Sequence, residues 1–222
     1  FFALAAGEPK AAAGEIPILV FNPHPHPVKA LVECEFEPWE PNFEKTRWEP
    51  RIYANGKPVP AQAEKEDSNL SVEWRKRVVF EAELAPGRLN RFSCRLEKAK
   101  DKPGAPAVAA GAVRGTIAVA TDELTAAVGK RTGLLDVFRA GGVDLLEPGG
   151  FTPLVIRDNA DPWGMKVRSF RALEGAFALA TPEEAARFAG IREGTLAPVR
   201  VIEDGEVRTV VEAVFSYGAS RL

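Results

Sequence analysis

Short runs of alternating apolar and polar residues, each closed by a proline, glycine or asparagine turn, limit what this chain can fold into. Successive side chains of a strand point to opposite faces, so a period of two marks a sheet with one side buried. Val32, Cys34 and Phe36 alternate with Leu31, Glu33 and Glu35 over Ala30–Phe36, the pattern of a half-buried antiparallel strand. Val78, Phe80, Ala82 and Leu84 share one face of a second run, Val72–Leu84; Pro86-Gly87 turns the chain and Asn90–Leu96 returns it. Upstream, Ile16–Phe21 ends at Asn22-Pro23, and Asn55-Gly56 joins Arg51–Tyr53 to Val59–Gln62 as a two-residue hairpin. About seven short strands over residues 16–96 predict a small β-sandwich.

Residues 1–15 read as the tail of a preceding helix and a linker, with Gly7-Glu8-Pro9-Lys10 as the stop. Residues 97–111 are rich in Lys, Pro, Gly and Ala without periodicity, which predicts a second linker. A second β-domain then occupies 112–222. In it Thr116–Val128 alternates weakly, Gly129-Lys130-Arg131-Thr132-Gly133 turns, Leu134–Phe138 goes back, and Gly141-Gly142 and Pro148-Gly149-Gly150 punctuate two further strands. Thr181-Pro182-Glu183-Glu184 has a Thr cap, Pro at the first helical position and Glu at the third, predicting a capping box on a short helix that stops at Gly190. Val199–Ile202 and Val207–Phe215 form a hairpin around Asp204-Gly205. The chain ends at Leu222 without a stop signal, as a truncated β-domain would. In that case Val207–Tyr217 is an edge strand open to pairing with a second copy.

Composition narrows the function. The 29 basic and 31 acidic side chains of the 222 residues leave a formal charge of −2, so nothing calls for nucleic acid or another polyanion. No apolar run approaches the ~20 residues of a membrane span, and Phe1–Ala6 lacks the basic region of a signal peptide. The chain reads as soluble. Cys34 and Cys94 fall at inward positions of separate strands, as buried thiols of a reducing, cytoplasmic compartment or as one disulfide. The sole methionine is Met165, so the sequence reads as processed or as a piece of a longer protein.

The chemistry-bearing stretch is Ile156-Arg157-Asp158-Asn159-Ala160-Asp161-Pro162-Trp163-Gly164-Met165. It comes after the apolar run Phe151–Ile156, so a strand end delivers carboxylates, an amide and an indole to a turn. Asp158 and Asp161 can accept sugar hydroxyl hydrogens while Trp163 stacks on a pyranose face. Composition alone favours an Asx-turn with Trp163 in the core. His24 and His26 sit in Pro23-His24-Pro25-His26-Pro27, a turn rather than a metal strand, with no third ligand near in sequence. No Gly-x-Ser-x-Gly elbow, Walker motif or Gly-x-Gly-x-x-Gly after a strand supports a serine hydrolase or a nucleotide site. Trp74-Arg75-Lys76-Arg77 alternates, sending Arg75 and Arg77 to one face to pair with Glu64, Glu66 or Glu81. Trp39 and Trp48 lie in a Pro-rich connection that either presents rings to a ligand or covers an end of the sandwich.

Several stretches together resemble glycoside hydrolase family 38 α-mannosidases. Val20-Phe21-Asn22-Pro23 resembles the opening of that family's first β-sandwich, and Lys130-Arg131-Thr132-Gly133 its Lys-x-Thr-Gly hairpin. Asp158-x-x-Asp161-x-Trp163 resembles its acidic and aromatic stretch, and Arg200–Arg208 through Tyr217-x-x-Ser220 its later hairpin and Tyr-Gly-x-Ser strand. No single motif is specific, but their order spans nearly the whole chain. The resemblance implies an all-β region of two consecutive sandwiches, the second the start of a galactose-mutarotase-like supersandwich. The family's zinc ligands and nucleophilic aspartate sit in an N-terminal α/β barrel with no counterpart here, so no catalytic residue or metal is expected in this chain. The parent would be a retaining glycosidase, with a mannose-containing glycan and the parent's own catalytic domain as partners. Asp158, Asp161 and Trp163 would then be glycan contacts. A stand-alone carbohydrate-binding or structural β module is the rival. A mutarotase-like epimerase needs an acid and a base at a pyranose, and the second domain has no histidine to serve.

Overall fold

The computed structural model describes residues 5–44, 46–66, 74–99, 115–147, 149–158, 163 and 169–222. It divides into two units: Phe1–Ala107 with Glu203–Arg208, and Val108–Ile202 with Thr209–Leu222. The described secondary structure is mostly strand.

Among the described residues of the first unit seven strands form two antiparallel sheets. One has the order β1 (Ile16–Asn22), β7 (Arg88–Ala99), β3 (Arg47–Ala54) and β4 (Lys57–Pro58). The other has β2 (Val28–Phe36), β6 (Lys76–Leu84) and β5 (Ala61–Glu64). Both contribute to one core, in which Ile52, Val78, Phe80, Ala82, Leu84, Phe92 and Cys94 are buried. Alternation is the cause, because these core residues of β6 are those the period of two assigns inward. Phe80 and Phe92 meet edge to face at 5.0 Å, adding about 0.5–1.5 kcal/mol to their area burial. Two antiparallel sheets on one core agree with the expected all-β sandwich class.

The asparagine after Phe21 has a physical reason to be there. Asn22 is 1% exposed; its Nδ2 donates to Leu84 O and His26 O at 3.1 Å each, and its Oδ1 accepts from His24 N at 3.0 Å. One amide thus pins the proline-rich turn to the end of β6, with both its donor and its acceptor satisfied. Asn55 and Gly56 both have positive φ (50° and 77°), as a tight hairpin turn requires.

The returning strand of that hairpin differs from expectation. Only Lys57–Pro58 pairs with β3, and Ala61–Glu64 joins the other sheet against β6. Proline explains the switch. Pro60 has no N–H to continue the ladder, Val59 N makes a last bond to Ile52 O at 3.0 Å, and Pro60 O already accepts from Glu81 N at 3.1 Å.

The second unit begins with a meander of four strands, β8 (Thr116–Ala120), β9 (Leu124–Gly129), β10 (Leu135–Ala140) and β11 (Val143–Asp144). Thr116–Val128 is therefore two strands where one was expected. Thr121 makes the turn, its Oγ1 accepting from Leu124 N at 3.0 Å, a local bond that competes with the strand. Gly133 (φ 70°) closes the next turn and is buried; a Cβ there would lie 2.6 Å from Leu179 Cδ1 and 2.9 Å from Phe215 Cζ. The remaining strands are β12 (Leu154–Ile156), β13 (Leu173–Ala176), β14 (Ala178–Leu179), β15 (Val199–Asp204), β16 (Thr209–Ala213), β17 (Phe215–Tyr217) and β18 (Ser220–Arg221).

Among the described residues the helix α1 (Pro182–Phe188) carries the expected capping box. Thr181 Oγ1 accepts from Glu184 N, Glu184 Oε2 accepts from Thr181 N, and Gly190 (φ 77°) lies just past the C-terminus. Val207–Tyr217 is not one strand: β16 pairs with β15 in a two-stranded sheet and is an edge as expected, whereas β17 is not. The run breaks at Val214, whose N–H leaves for Pro198 O and whose carbonyl takes Ala180 N, so β17 lies inside a sheet between β14 and β18. Phe1–Leu4, most of the 97–111 linker, Pro148 and Asp161 lie outside the described residues.

Candidate functional site

The Asp158 stretch is positioned by a two-stranded ladder. β12 and β13 pair antiparallel, Leu154 with Ala176, Val155 with Gly175 and Ile156 with Leu173, with a register shift between Val155 and Ile156. Such a shift bends a strand and re-aims the residues beyond it. Arg157 N donates to Ala172 O at 2.8 Å, so pairing continues to the residue before Asp158. On one side Gly175 admits the ring of Tyr217; a Cβ there would lie 2.8 Å from Tyr217 Cε2. Phe177 stands 5.8 Å from the same ring. The β13 glycine and the β17 tyrosine therefore fix the platform that bears the Asp158 stretch.

Asp158 is exposed at the strand end, and Trp163 is 83% exposed in a turn. Asp161, Asn159, Ala160 and Pro162 lie outside the described residues. Trp163 is thus not in the core, contrary to the placement that composition alone favours. On the same ladder the apolar side chains Leu154, Ile156 and Leu173 are exposed, as are Phe151 and Phe170 nearby in sequence. Arg157 and Glu174 stand 3.7 Å apart across the strands, both open to water. A flat exposed indole can stack on a polyol and a carboxylate at a strand end can hydrogen-bond one.

Other candidates resolve differently. His24 and His26 are exposed, with ring centroids 5.3 Å apart. Among the described residues no group of three or more His, Cys, Asp or Glu side chains could hold a metal ion. Cys34 and Cys94 are free thiols. Burial pushes Cys34 up to about 11 and Cys94 up to about 12, as expected for a thiolate kept from water. Arg75 pairs with Glu35 at 3.0 Å and Glu37 at 3.2 Å, and Arg77 pairs with Glu33, with Glu64 3.9 Å away. Acidic partners are thus present as expected, and Glu64 is one of the three glutamates that the sequence suggests. Trp39 is exposed, whereas Trp48 is half-buried under Lys98, whose Nζ stands 5.3 Å from its ring centroid.

Two features escape sequence reasoning. Tyr217 is legible as part of a Tyr-Gly-x-Ser motif, but its partner Gly175 is supplied only by the register. A cavity of about 390 Å3 is lined by Phe188, Val214 and Leu222 with Arg200, Glu212 and Arg221 at its polar side. None of its lining residues belongs to the Asp158 stretch. No helix among the described residues is long and apolar enough to cross a membrane. Comparison of the sequence with family models and with curated proteins finds no match.

Proposed function

We propose that this chain is the post-catalytic β region of an α-mannosidase-like glycoside hydrolase of family 38, and that it contacts a mannose-containing glycan through the stretch bearing Asp158, Asp161 and Trp163. The observation that carries the reading is Trp163, 83% exposed, five residues beyond Asp158 at the end of the β12–β13 ladder. An exposed indole with carboxylates close in sequence suits a pyranose, the ring stacking on its apolar face.

Three of the motifs that carry the resemblance have a residue with a structural role. Asn22 caps the first strand, Gly133 sits under Phe215, and Gly175 receives Tyr217. The seven-stranded sandwich agrees with the first domain of this reading, and the galactose-mutarotase-like assignment of the second unit is part of the proposal. The chain's own share of the chemistry is to bind and orient glycan. Hydrolysis and zinc belong to the parent's barrel, so the chain alone leaves aryl α-mannosides intact with or without zinc.

The test is a titration of the chain with mannotriose, monitored by indole fluorescence and by proton NMR of the sugar. Binding in the millimolar range that Trp163→Ala weakens at least tenfold is expected. Equal binding by the variant would remove Trp163 from the site, and turnover of an aryl α-mannoside above a blank would overturn the division of labour. Reading the coding sequence upstream of Phe1 separates the enzyme from a stand-alone carbohydrate-binding module. An α/β barrel with His and Asp at metal-ligand spacing supports the first; a start codon or signal peptide directly upstream supports the second.

A further inference from the structure

We propose that Gln62, Glu64 and Glu33 form a recognition site for a guanidinium carried on a turn, and that the chain fills it with its own segment Glu203–Arg208. This segment belongs to the first unit although it lies more than a hundred residues beyond Gln62 in sequence.

The site reads backbone and side chain at once. Gln62 Oε1 accepts from Val207 N at 2.9 Å and Arg208 N at 2.8 Å, while its Nε2 donates to Arg208 O at 3.1 Å and to Glu64 Oε1 at 2.8 Å. A single amide thereby meets three backbone groups of the turn. Arg208 Nε donates to Glu64 Oε1 at 2.7 Å, and its Nη2 donates to Glu64 Oε2 and, at 2.9 Å, to Glu33 Oε2. The two parallel bonds to Glu64 use the planar fork that lysine lacks. Lys65 N donates to Glu203 Oε1 at 2.8 Å at the edge of the seat.

Burial makes the arrangement consequential. The Glu64 side chain is 3% exposed, and Arg77, the other cation near it, stands 3.9 Å away and is already paired with Glu33. A buried carboxylate stripped of its partner is strongly destabilising. The hydrogen bond from Arg208 is also the foremost cause that holds the Glu33 carboxyl below its usual range. Val79, on the outward face of β6, lies in register with Glu33 and Gln62 and is nevertheless fully buried. A segment seated over those two residues accounts for its burial. Gly205 completes the fit, because a Cβ there would come within 2.7 Å of Gln62 Cδ.

The experiment is chemical rescue in the full chain. Arg208→Ala is expected to melt roughly 10 °C lower than the parent sequence, the scale for an orphaned buried charge. Millimolar methylguanidinium should restore most of that loss in Arg208→Ala and leave the parent unchanged. Methylammonium at the same concentration and ionic strength should restore none. Equal recovery with both cations, recovery with neither, or a variant that melts with the parent overturns the site. If Arg208→Ala does not fold, the double variant Glu64→Gln, Arg208→Met removes the lone charge and is expected to fold. Failure of the double variant as well also counts against the proposal.

Discussion

Glu15 lies just before β1, and its carboxylate is held on three sides. Its Oε1 accepts from Ser93 Oγ at 2.6 Å and Arg91 Nη2 at 2.7 Å, and its Oε2 from Ala12 N at 2.7 Å. The Ser93 hydroxyl first, then the Ala12 N–H and the Arg91 guanidinium, hold its pKa down at about 2. A carboxyl depressed in the folded state stabilises fully above its unfolded value of ~4.3 and loses that contribution as pH falls toward 2. Glu15→Gln should therefore narrow the gap between urea midpoints measured at pH 5 and pH 2.5. An unchanged gap would show that other carboxylates carry the acid response. Asn22 makes the complementary point about what one residue reveals. From the sequence it reads as a strand terminator, and Leu84, whose carbonyl it satisfies, is 62 positions away. Nothing local announces that distance.

At the scale of elements, two glycines with similar φ give different predictions. Gly133 (φ 70°) has Leu179 and Phe215 where a Cβ would go, whereas Gly190 (φ 77°) has nothing within 4 Å. Gly133→Ala should cost about 2–4 kcal/mol, left-handed strain plus overpacking. Gly190→Ala should cost only about 1 kcal/mol, for strain alone. Equal losses in chemical denaturation would mean that the contact at Gly133 relaxes freely. The same contrast explains how far the elements can be read in advance. Alternation, Asn55-Gly56 and the Thr181 capping box are local signals, and β2, the first hairpin turn and α1 appear where those signals put them, while β6 covers Lys76–Leu84 of the expected Val72–Leu84, with Trp74 and Arg75 outside the strand and Val72 outside the described residues. Which sheet a strand joins is not local: Ala61–Glu64 changes sheets after Pro60, and Phe215–Tyr217 becomes an interior strand after Val214. For the candidate site, the strand end and the indole are legible in the residues themselves. The Tyr217–Gly175 base emerges only once β13 and β17 are placed.

For the molecule as a whole, both thiols lie in the first unit, in or against its core. With pKa values pushed up to about 11 and about 12 by burial, neither is a thiolate at neutral pH. A maleimide should label neither in the native protein at pH 7.5, and both should react together as denaturant opens the first unit. Rapid labelling of Cys34 alone in buffer would mean that the β2 edge frays independently of the core. The segment Glu203–Arg208 has a different kind of consequence, which concerns time. Arg208 lies 144 residues beyond Glu64, so at ~5–20 residues per second on the ribosome its guanidinium arrives roughly 7–30 s later. During synthesis Glu64 thus waits for its Arg208 fork with only Gln62 and the more distant Arg77 beside it among the described residues, so the first sandwich completes its fold late.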